Sequence, residues 1–121
     1  MTVTIFNRLG EDENGEALYK PCVFRNVRIE TKTASNPVNS GERDNDNFHL
    51  FLFTDDGYLP PEEFTEETQH GHWTLAPGDL LAEGICTEPP ARPYRINTVV
   101  PCYAGDRFHH WEVKGRGQIL E

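Results

Sequence analysis

The sequence predicts an all-β protein, a small antiparallel β-barrel or sandwich of about six strands with one short helix and long loops. Short runs rich in β-branched and aromatic residues recur along the chain, and turn-forming residues bound each run. In the last run, His109, Trp111 and Val113 share one face, which is the period-2 pattern of a half-buried strand. Similar patterns place six large side chains in the core: Trp111, Val113, Ile96, Leu50, Leu52 and Val27.

The most regular part of the chain, residues 74–117, predicts a meander of three antiparallel strands. These strands cover residues 80–86, 94–100 and 108–114. Pro-Gly-Asp, Pro-Pro and Ala-Gly-Asp sequences separate them, and such residues end strands and form tight turns.

The N-terminal half predicts further strands and the helix. Residues 3–7 favour an opening strand, and residues 9–16, with turn formers and charge, favour a hairpin loop or a mobile connection. Residues 48–54 are apolar on both faces, which is typical of a central strand covered on both sides. Residues 60–68 predict the short helix, because proline is tolerated in a first turn and acidic side chains there favour the positive end of the helix dipole.

The longest predicted strand covers residues 19–31. Its alternation places Val23, Val27 and Ile29 on one side. Phe24 falls on the other side together with polar residues, so we expect a strand with one solvated face.

Residues 32–47 contain one large apolar residue, Val38. Burying it cannot offset a backbone ordering cost of about 1 to 2 kcal/mol per residue, so the segment predicts a long mobile loop within a single domain of residues 1–121. Functional contacts are often made by such loops. Six loop residues are expected assembly contacts: Ser35, Asn36, Pro37, Val38, Asn39 and Ser40.

The charge of the chain is acidic and uneven. The formal net charge is -9, and residues 1–90 carry 6 Lys and Arg against 17 Asp and Glu, whereas residues 91–121 carry 5 against 3. Such a surface argues against sequence-specific nucleic-acid binding, although DNA could slide past it. No apolar run approaches the ~20 residues that span a bilayer, and the start lacks a signal-peptide pattern, so we expect a cytoplasmic protein without membrane contact.

Catalytic motifs are absent from the sequence. The only serines, Ser35 and Ser40, lack the G-x-S-x-G setting that exposes a nucleophile. Adjacent carboxylates such as Asp55 and Asp56 lack the desolvation that separates an acid from a base, and no phosphate-binding glycine motif is present. We therefore predict no catalytic residue, no cofactor and no metal. Three widely spaced cysteines indicate buried reduced thiols: Cys22, Cys86 and Cys102.

Two alternative functions stay open. The first is a metal-dependent hydrolase that uses His70 and His72, because an H-x-H pair on a strand can present two imidazoles to zinc. Since His109 and His110 are adjacent in a strand, we expect them on opposite faces, so at most one joins that pair. The second alternative is a small-ligand or glycan-binding module with a cleft near aromatic residues: Tyr58, Trp73 or Tyr103.

A succession of short motifs follows the predicted meander. Residues 77–84 read PGDLLAEG, residues 94–99 read YRINTV, and residues 109–115 read HHWEVKG after a glycine at position 105. This succession resembles the small head-tail joining proteins of tailed phages and Gram-positive prophages, also called head completion, minor capsid, stopper or connector proteins. The motifs cover about a third of the chain.

The resemblance implies a non-enzymatic virion protein that forms a homo-oligomeric ring on the portal and bridges the capsid to the tail. Its implied partners are the portal or connector and the tail completion proteins. The implied locations are the host cytoplasm during assembly and then the virion, and the isolated protein is expected to be a monomer. The loop 31–47 and the acidic segment 11–16 are interpreted as contact or lumen-facing elements on a rigid barrel.

Overall fold

The computed structural model describes residues 1–31 and 48–117. Within these residues it forms seven strands and one 3₁₀ turn: β1 (Val3–Glu11), β2 (Ala17–Phe24), β3 (Arg28–Thr31), β4 (Phe48–Leu52), η1 (Pro61–Glu63), β5 (Leu80–Glu83), β6 (Tyr94–Ala104) and β7 (Arg107–Gly117). All strands belong to one antiparallel sheet with the order β2-β1-β5-β6-β7-β4-β3. The predicted all-β class is therefore confirmed.

The sheet is rolled around its inner face. β2 and β3 lie at opposite ends of the strand order, yet only residues 25–27 separate them in the chain. Because four residue steps span at most about 14 Å, the two edges must come close. The backbone N–H of Val27 donates to the carbonyl of Met1 at 2.9 Å, which ties this connection to the start of β1. Among the described residues β2 and β3 are not paired with each other, so the sheet is not a closed barrel.

The inner face of the sheet encloses the main hydrophobic core. Trp111 is 7% exposed, and its ring centroid lies 4.5 Å from that of Tyr58 and 5.4 Å from that of Phe108. The six side chains that the sequence places in the core are all buried, which confirms those predictions. The core cluster consists of Val3, Ile5, Phe24, Val27, Phe48, Leu50, Leu52, Trp73, Leu75, Leu81, Ile96, Trp111 and Val113.

A smaller apolar cluster lies beside the main core. It contains Phe6, Leu80 and Ala82, and Tyr19 and Cys86 pack against it. Successive side chains of a strand point to opposite faces, so β1 contributes to the main core with one face and to this cluster with the other. Five consecutive residues at the start of β1 are buried as a result.

The long strand predicted over residues 19–31 is wrong, because this segment forms two strands at opposite edges of the sheet. Asn26 adopts a left-handed backbone conformation with φ 59°, which asparagine tolerates better than most residues. The chain therefore turns between β2 and β3. Phe24 and Val27 are buried in the core, whereas Val23 is 37% exposed, so the predicted sides of Val23 and Phe24 are exchanged.

The helix predicted over residues 60–68 is shorter than expected. Only Pro61–Glu63 form a helical turn, of the 3₁₀ type, with proline in its first turn as predicted. The side chains of Thr65 and Thr68 then accept hydrogen bonds from each other's backbone N–H groups at 3.2 and 2.8 Å, and such local bonds compete with helix formation. No helix in the described part of the chain has the length and apolar character needed to cross a membrane.

Asp79 anchors the turn that precedes β5. Its carboxylate accepts hydrogen bonds from the side-chain amide of Asn7 at 2.9 Å and from the backbone N–H groups of Arg8 and Ala76, both at 3.1 Å. The Asn7 amide also donates to the carbonyl of Thr74 at 2.7 Å. These bonds join the turn to β1, and they explain why a buried polar pair is tolerated here.

Residues 32–47, including the expected contacts at 35–40, lie outside the described residues. The flanking residues Thr31 and Phe48 are paired directly in the ladder between β3 and β4. The end of β3 and the start of β4 therefore lie side by side.

Candidate functional site

Three polar side chains surround Glu112 on the outer face of β4, β6 and β7. Oε1 of Glu112 lies 3.0 Å from Nε2 of His49, and Oε2 lies 3.0 Å from Nε2 of His110. The thiol of Cys102 donates to the same Oε2 at 3.4 Å. We refer to His49, Cys102, His110 and Glu112 as the Glu112 cluster.

Strand register explains how these residues meet. Cys102 lies directly opposite His110 in the ladder between β6 and β7. His110 and Glu112 are two positions apart in β7 and therefore point to the same face. In β4, Phe51 pairs with Glu112, so His49 is a diagonal neighbour of Glu112 on that face.

A β-bulge adds a third imidazole at the edge of the cluster. His110 and Phe108 pair with successive residues of β6, which leaves His109 as the extra residue. The expectation that His109 and His110 point to opposite faces is therefore wrong, since their Nδ1 atoms lie 2.7 Å apart. One of these nitrogens must donate a hydrogen that the other accepts.

Two phenylalanine rings shield one side of the cluster. Phe51 stacks on His49 with ring centroids 4.2 Å apart, and Phe53 lies 5.7 Å from His110. The side chains of His110, His49 and Glu112 nevertheless keep exposed fractions of 17%, 27% and 31%. The cluster is thus half-buried and open to small ions from solvent.

Hydrogen bonding within the cluster changes its acid-base properties. The bond with His110, and further bonds with Cys102 and His49, hold the pKa of the Glu112 carboxyl below its ordinary value. Desolvation, together with the hydrogen bond to Glu112 and its charge, raises the pKa of the Cys102 thiol. The pair therefore favours an ionised carboxylate that accepts a hydrogen bond from a protonated thiol.

The cluster also combines three types of metal-binding atom. One donor atom each from Cys102, His110 and Glu112 lies within 4.8 Å of the other two. Borderline divalent metals accept thiolate sulfur, imidazole nitrogen and carboxylate oxygen.

The histidines of the predicted hydrolase are not brought together with this cluster. Nδ1 of His72 lies 3.2 Å from the carbonyl oxygen of Gly57, and His70 is exposed to solvent. Among the described residues, neither histidine belongs to a group of three or more possible metal ligands. The structure therefore does not assemble the ligand set that the sequence favours for that alternative.

The aromatic residues expected near a binding cleft lie in different environments. Trp73 is 5% exposed, and its indole N–H donates to the carbonyl of Asp56 at 2.6 Å. Tyr58 packs between Trp73 and Trp111, with ring centroids 5.4 and 4.5 Å away. Tyr103 is 62% exposed. These rings therefore do not line one cleft.

A second surface feature is the outer end of the β6–β7 hairpin, residues 98–110, which we call the hairpin arm. β5 pairs with β6 at residues 94 and 95, and β4 pairs with β7 over residues 111–115. In the described sheet the arm extends past both neighbouring strands. Two of its large apolar side chains are exposed, Val100 by 46% and Tyr103 by 62%.

Comparison with known proteins places the chain in a family. Residues 1–116 match a family of unknown function, DUF6751. The chain belongs to this family. No curated protein and no solved structure matches the chain. The family description assigns no activity.

Sequence reasoning missed the Glu112 cluster because its members come from three strands whose register a single sequence does not reveal. Cys102 was expected among buried thiols, yet the three cysteines are free and half-buried. The available signal was the HHWE sequence, in which a histidine and a glutamate two positions apart share a strand face.

Proposed function

We propose that the protein is a non-enzymatic structural protein of a tailed-phage or prophage virion, and that it forms a homo-oligomeric ring at the head-tail junction. The main support is the hairpin arm. It presents exposed apolar side chains between the YRINTV and HHWEVKG motifs, which resemble head-tail joining proteins.

The resembling motifs coincide with distinct structural roles. β5, β6 and β7 are hydrogen-bonded neighbours in that order. Asp79 of the Pro-Gly-Asp motif anchors the turn before β5, and Trp111 of the HHWEVKG motif is buried in the core. The motifs therefore lie on three neighbouring strands that fold as one unit, and this arrangement supports the proposal.

The arm has the surface expected of a protein contact. Exposed apolar side chains on such an extension are candidates for interaction, and tyrosine is enriched where proteins associate. Val100 and Tyr103 lie three positions apart in β6, so they extend from opposite faces of the arm. We propose that a neighbouring subunit or the portal covers them in the ring.

The acidic surface suits a ring through which DNA passes. Negative side chains along a channel would repel phosphate groups and prevent DNA from binding to the wall. In the acidic turn between β1 and β2, the side chain of Asp12 accepts hydrogen bonds from the backbone N–H groups of Asn14 and Glu16 at 2.8 and 2.9 Å. The turn is therefore ordered and can present its charges in a fixed direction.

Under this proposal the partners are the portal or connector protein, the tail completion proteins and further copies of the same chain. The protein would be made in the host cytoplasm and would remain in the virion. Before assembly it would be a monomer, because ring formation would depend on the portal surface.

Co-expression with the portal protein of the same gene cluster tests the proposal. The wild-type protein should co-purify with portal rings. The double variant Val100→Ser and Tyr103→Ser should keep its circular dichroism spectrum and lose most of this binding, because each buried apolar Å² contributes roughly 25 cal/mol to association.

Ile85→Ser is the matched control, because Ile85 is a large apolar side chain with 61% exposure outside the arm. This variant should bind like the wild type. Full binding by the double variant would contradict the role of the arm. A wild-type protein that never associates with the portal would contradict the proposed function itself.

A further inference from the structure

We infer that Cys102, His110 and Glu112 form a binding site for a divalent metal ion of the zinc class. The inference does not rest on the proposed virion function, although Cys102 and His110 lie within the hairpin arm. It rests on the geometry of the Glu112 cluster, and it can be measured on the isolated protein.

The spacing of the donor atoms fits such an ion. In a tetrahedral zinc site, bonds of about 2.0 to 2.3 Å separate neighbouring donor atoms by roughly 3.3 to 3.8 Å. Oε2 of Glu112 lies 3.4 Å from Sγ of Cys102 and 3.0 Å from Nε2 of His110. Small side-chain rotations are therefore enough to bring the three atoms around one ion, and the strands need not move.

The surrounding contacts leave the right atoms available. Oε1 of Glu112 is occupied by Nε2 of His49, which leaves Oε2 for the ion. His110 contacts His109 through Nδ1, so its Nε2, which is hydrogen-bonded to Oε2 of Glu112, faces the site. Outer contacts of this kind fix the orientation of a ligating carboxylate and the tautomer of a ligating histidine.

The scaffold of the site is a hydrogen-bonded pair of strands. Cys102 and His110 are paired across the ladder between β6 and β7, and Glu112 follows two positions later in β7. Ligands on paired strands are held more accurately than ligands on loops. Three protein ligands leave the fourth position of the tetrahedron for water.

Binding of the ion releases a proton from the site. The ion requires the thiolate form of Cys102, so the thiol proton is released to solvent when the sulfur–metal bond forms. Glu112 binds as the carboxylate, and the hydrogen bonds of Oε2 to Cys102 and His110 are replaced by bonds to the ion. Nε2 of His110 loses the hydrogen that it donates to Oε2, and the neutral ring then carries its hydrogen on Nδ1, which donates to Nδ1 of His109. His109 in turn carries its hydrogen on Nε2, so the thiol proton is the net proton released.

Tag-free protein titrated with Zn²⁺ against a chromogenic chelator tests the site. The wild type should bind one zinc ion per chain, and Co²⁺ substituted for zinc should show a thiolate-to-cobalt charge-transfer band. Cys102→Ser should abolish that band, and His110→Gln should abolish stoichiometric binding. His49→Gln should weaken affinity by roughly 10- to 100-fold, because His49 orients a ligand without touching the ion.

Cys86→Ser and His72→Gln are the controls, because they remove a half-buried thiol and an imidazole outside the cluster. Both should bind zinc like the wild type. The inference is overturned if the wild type takes up no stoichiometric zinc, or if folded Cys102→Ser and His110→Gln proteins keep wild-type affinity. If either variant fails to fold, the cobalt spectrum of the wild type decides, since a missing charge-transfer band excludes cysteine ligation.

Discussion

At the scale of single residues, Asp79 shows two opposing effects on one carboxyl group. Burial raises its pKa, whereas hydrogen bonds from Arg8, Asn7 and Ala76 lower it, and burial is the larger effect. The folded protein therefore holds the Asp79 proton more tightly than the unfolded chain does. Stability must then depend on pH through this group.

We expect the stabilising effect of Asp79 to decline as pH rises. Its folded pKa lies above the ordinary value of 3.8, so between these two values the folded state binds more protons than the unfolded state. The free energy of unfolding consequently falls through that window. The free energy of unfolding of the wild type minus that of Asp79→Asn should be largest below pH 3.8. It should fall to a lower, constant value above the folded pKa of Asp79.

Urea titrations of both proteins across this range measure the difference. Asp106→Asn, which changes an exposed aspartate in the turn between β6 and β7, is the control. A relative stability that increases with pH would show that hydrogen bonding outweighs burial at Asp79.

Trp111 tests the core at the same scale. Its ring is buried against Tyr58 and Phe108, so Trp111→Ala should lower the free energy of unfolding by about 3 to 5 kcal/mol, the range for a truncated large aromatic. Tyr103→Ala removes an exposed ring from the same hairpin and should change stability by less than about 0.5 kcal/mol. Denaturant melts compare the two. A loss below about 1 kcal/mol for Trp111→Ala would mean that the ring is not in the core.

At the scale of strands, the meander was predictable because its turns carry strong local signals. The predicted strands at 80–86, 94–100 and 108–114 correspond to β5, β6 and β7. The break within 19–31 was not predictable in the same way, because no glycine or proline marks it. Asn26 supplies the turn with its left-handed backbone, and Phe24 and Val27 on either side of it are buried in the core.

The candidate site was less predictable than the fold. Its geometry depends on the bulge at His109, which shifts the alternation of β7 by one residue and places His109 beside His110. A single sequence gives neither the bulge nor the diagonal contact of His49 with Glu112 across β4 and β7. Strand pairing is a long-range property, so residues that are 63 positions apart meet without a local signal.

The segment between β3 and β4 provides a prediction at this scale. Thr31 and Phe48 are paired, so a two-residue Asn-Gly turn can replace residues 32–47 and close a β-hairpin. The melting temperature of this variant should stay close to that of the wild type, because the core residues are unchanged. Incorporation into portal rings should be lost, since the expected assembly contacts lie in the removed segment.

Calorimetry and portal co-purification measure these two properties. Replacement of residues 87–91, an exposed connection between β5 and β6, by Gly-Ser is a control for shortening a loop elsewhere. An unfolded variant would make residues 32–47 part of the core. If the variant folds and still enters portal rings, residues 32–47 only connect β3 to β4 and make no assembly contact.

At the scale of the whole molecule, the rolled sheet has a buried apolar core and a hairpin arm with exposed apolar side chains. The core is enclosed by β1, β4, β6 and β7, while the hairpin arm extends past its neighbours and exposes Val100 and Tyr103. The predicted barrel or sandwich captured the antiparallel class, but β2 and β3 are unpaired edges of the described sheet. Net acidity was readable from composition alone.

The virion proposal is tested most directly by electron cryomicroscopy of purified phage or induced prophage particles, focused on the head-tail vertex. The account predicts a ring of copies of this chain on the portal, in which each rolled sheet contacts a neighbour or the portal through the hairpin arm. Mass spectrometry of the same particles should detect the chain. Particles that lack the protein, or that contain it only away from the vertex, would contradict the account.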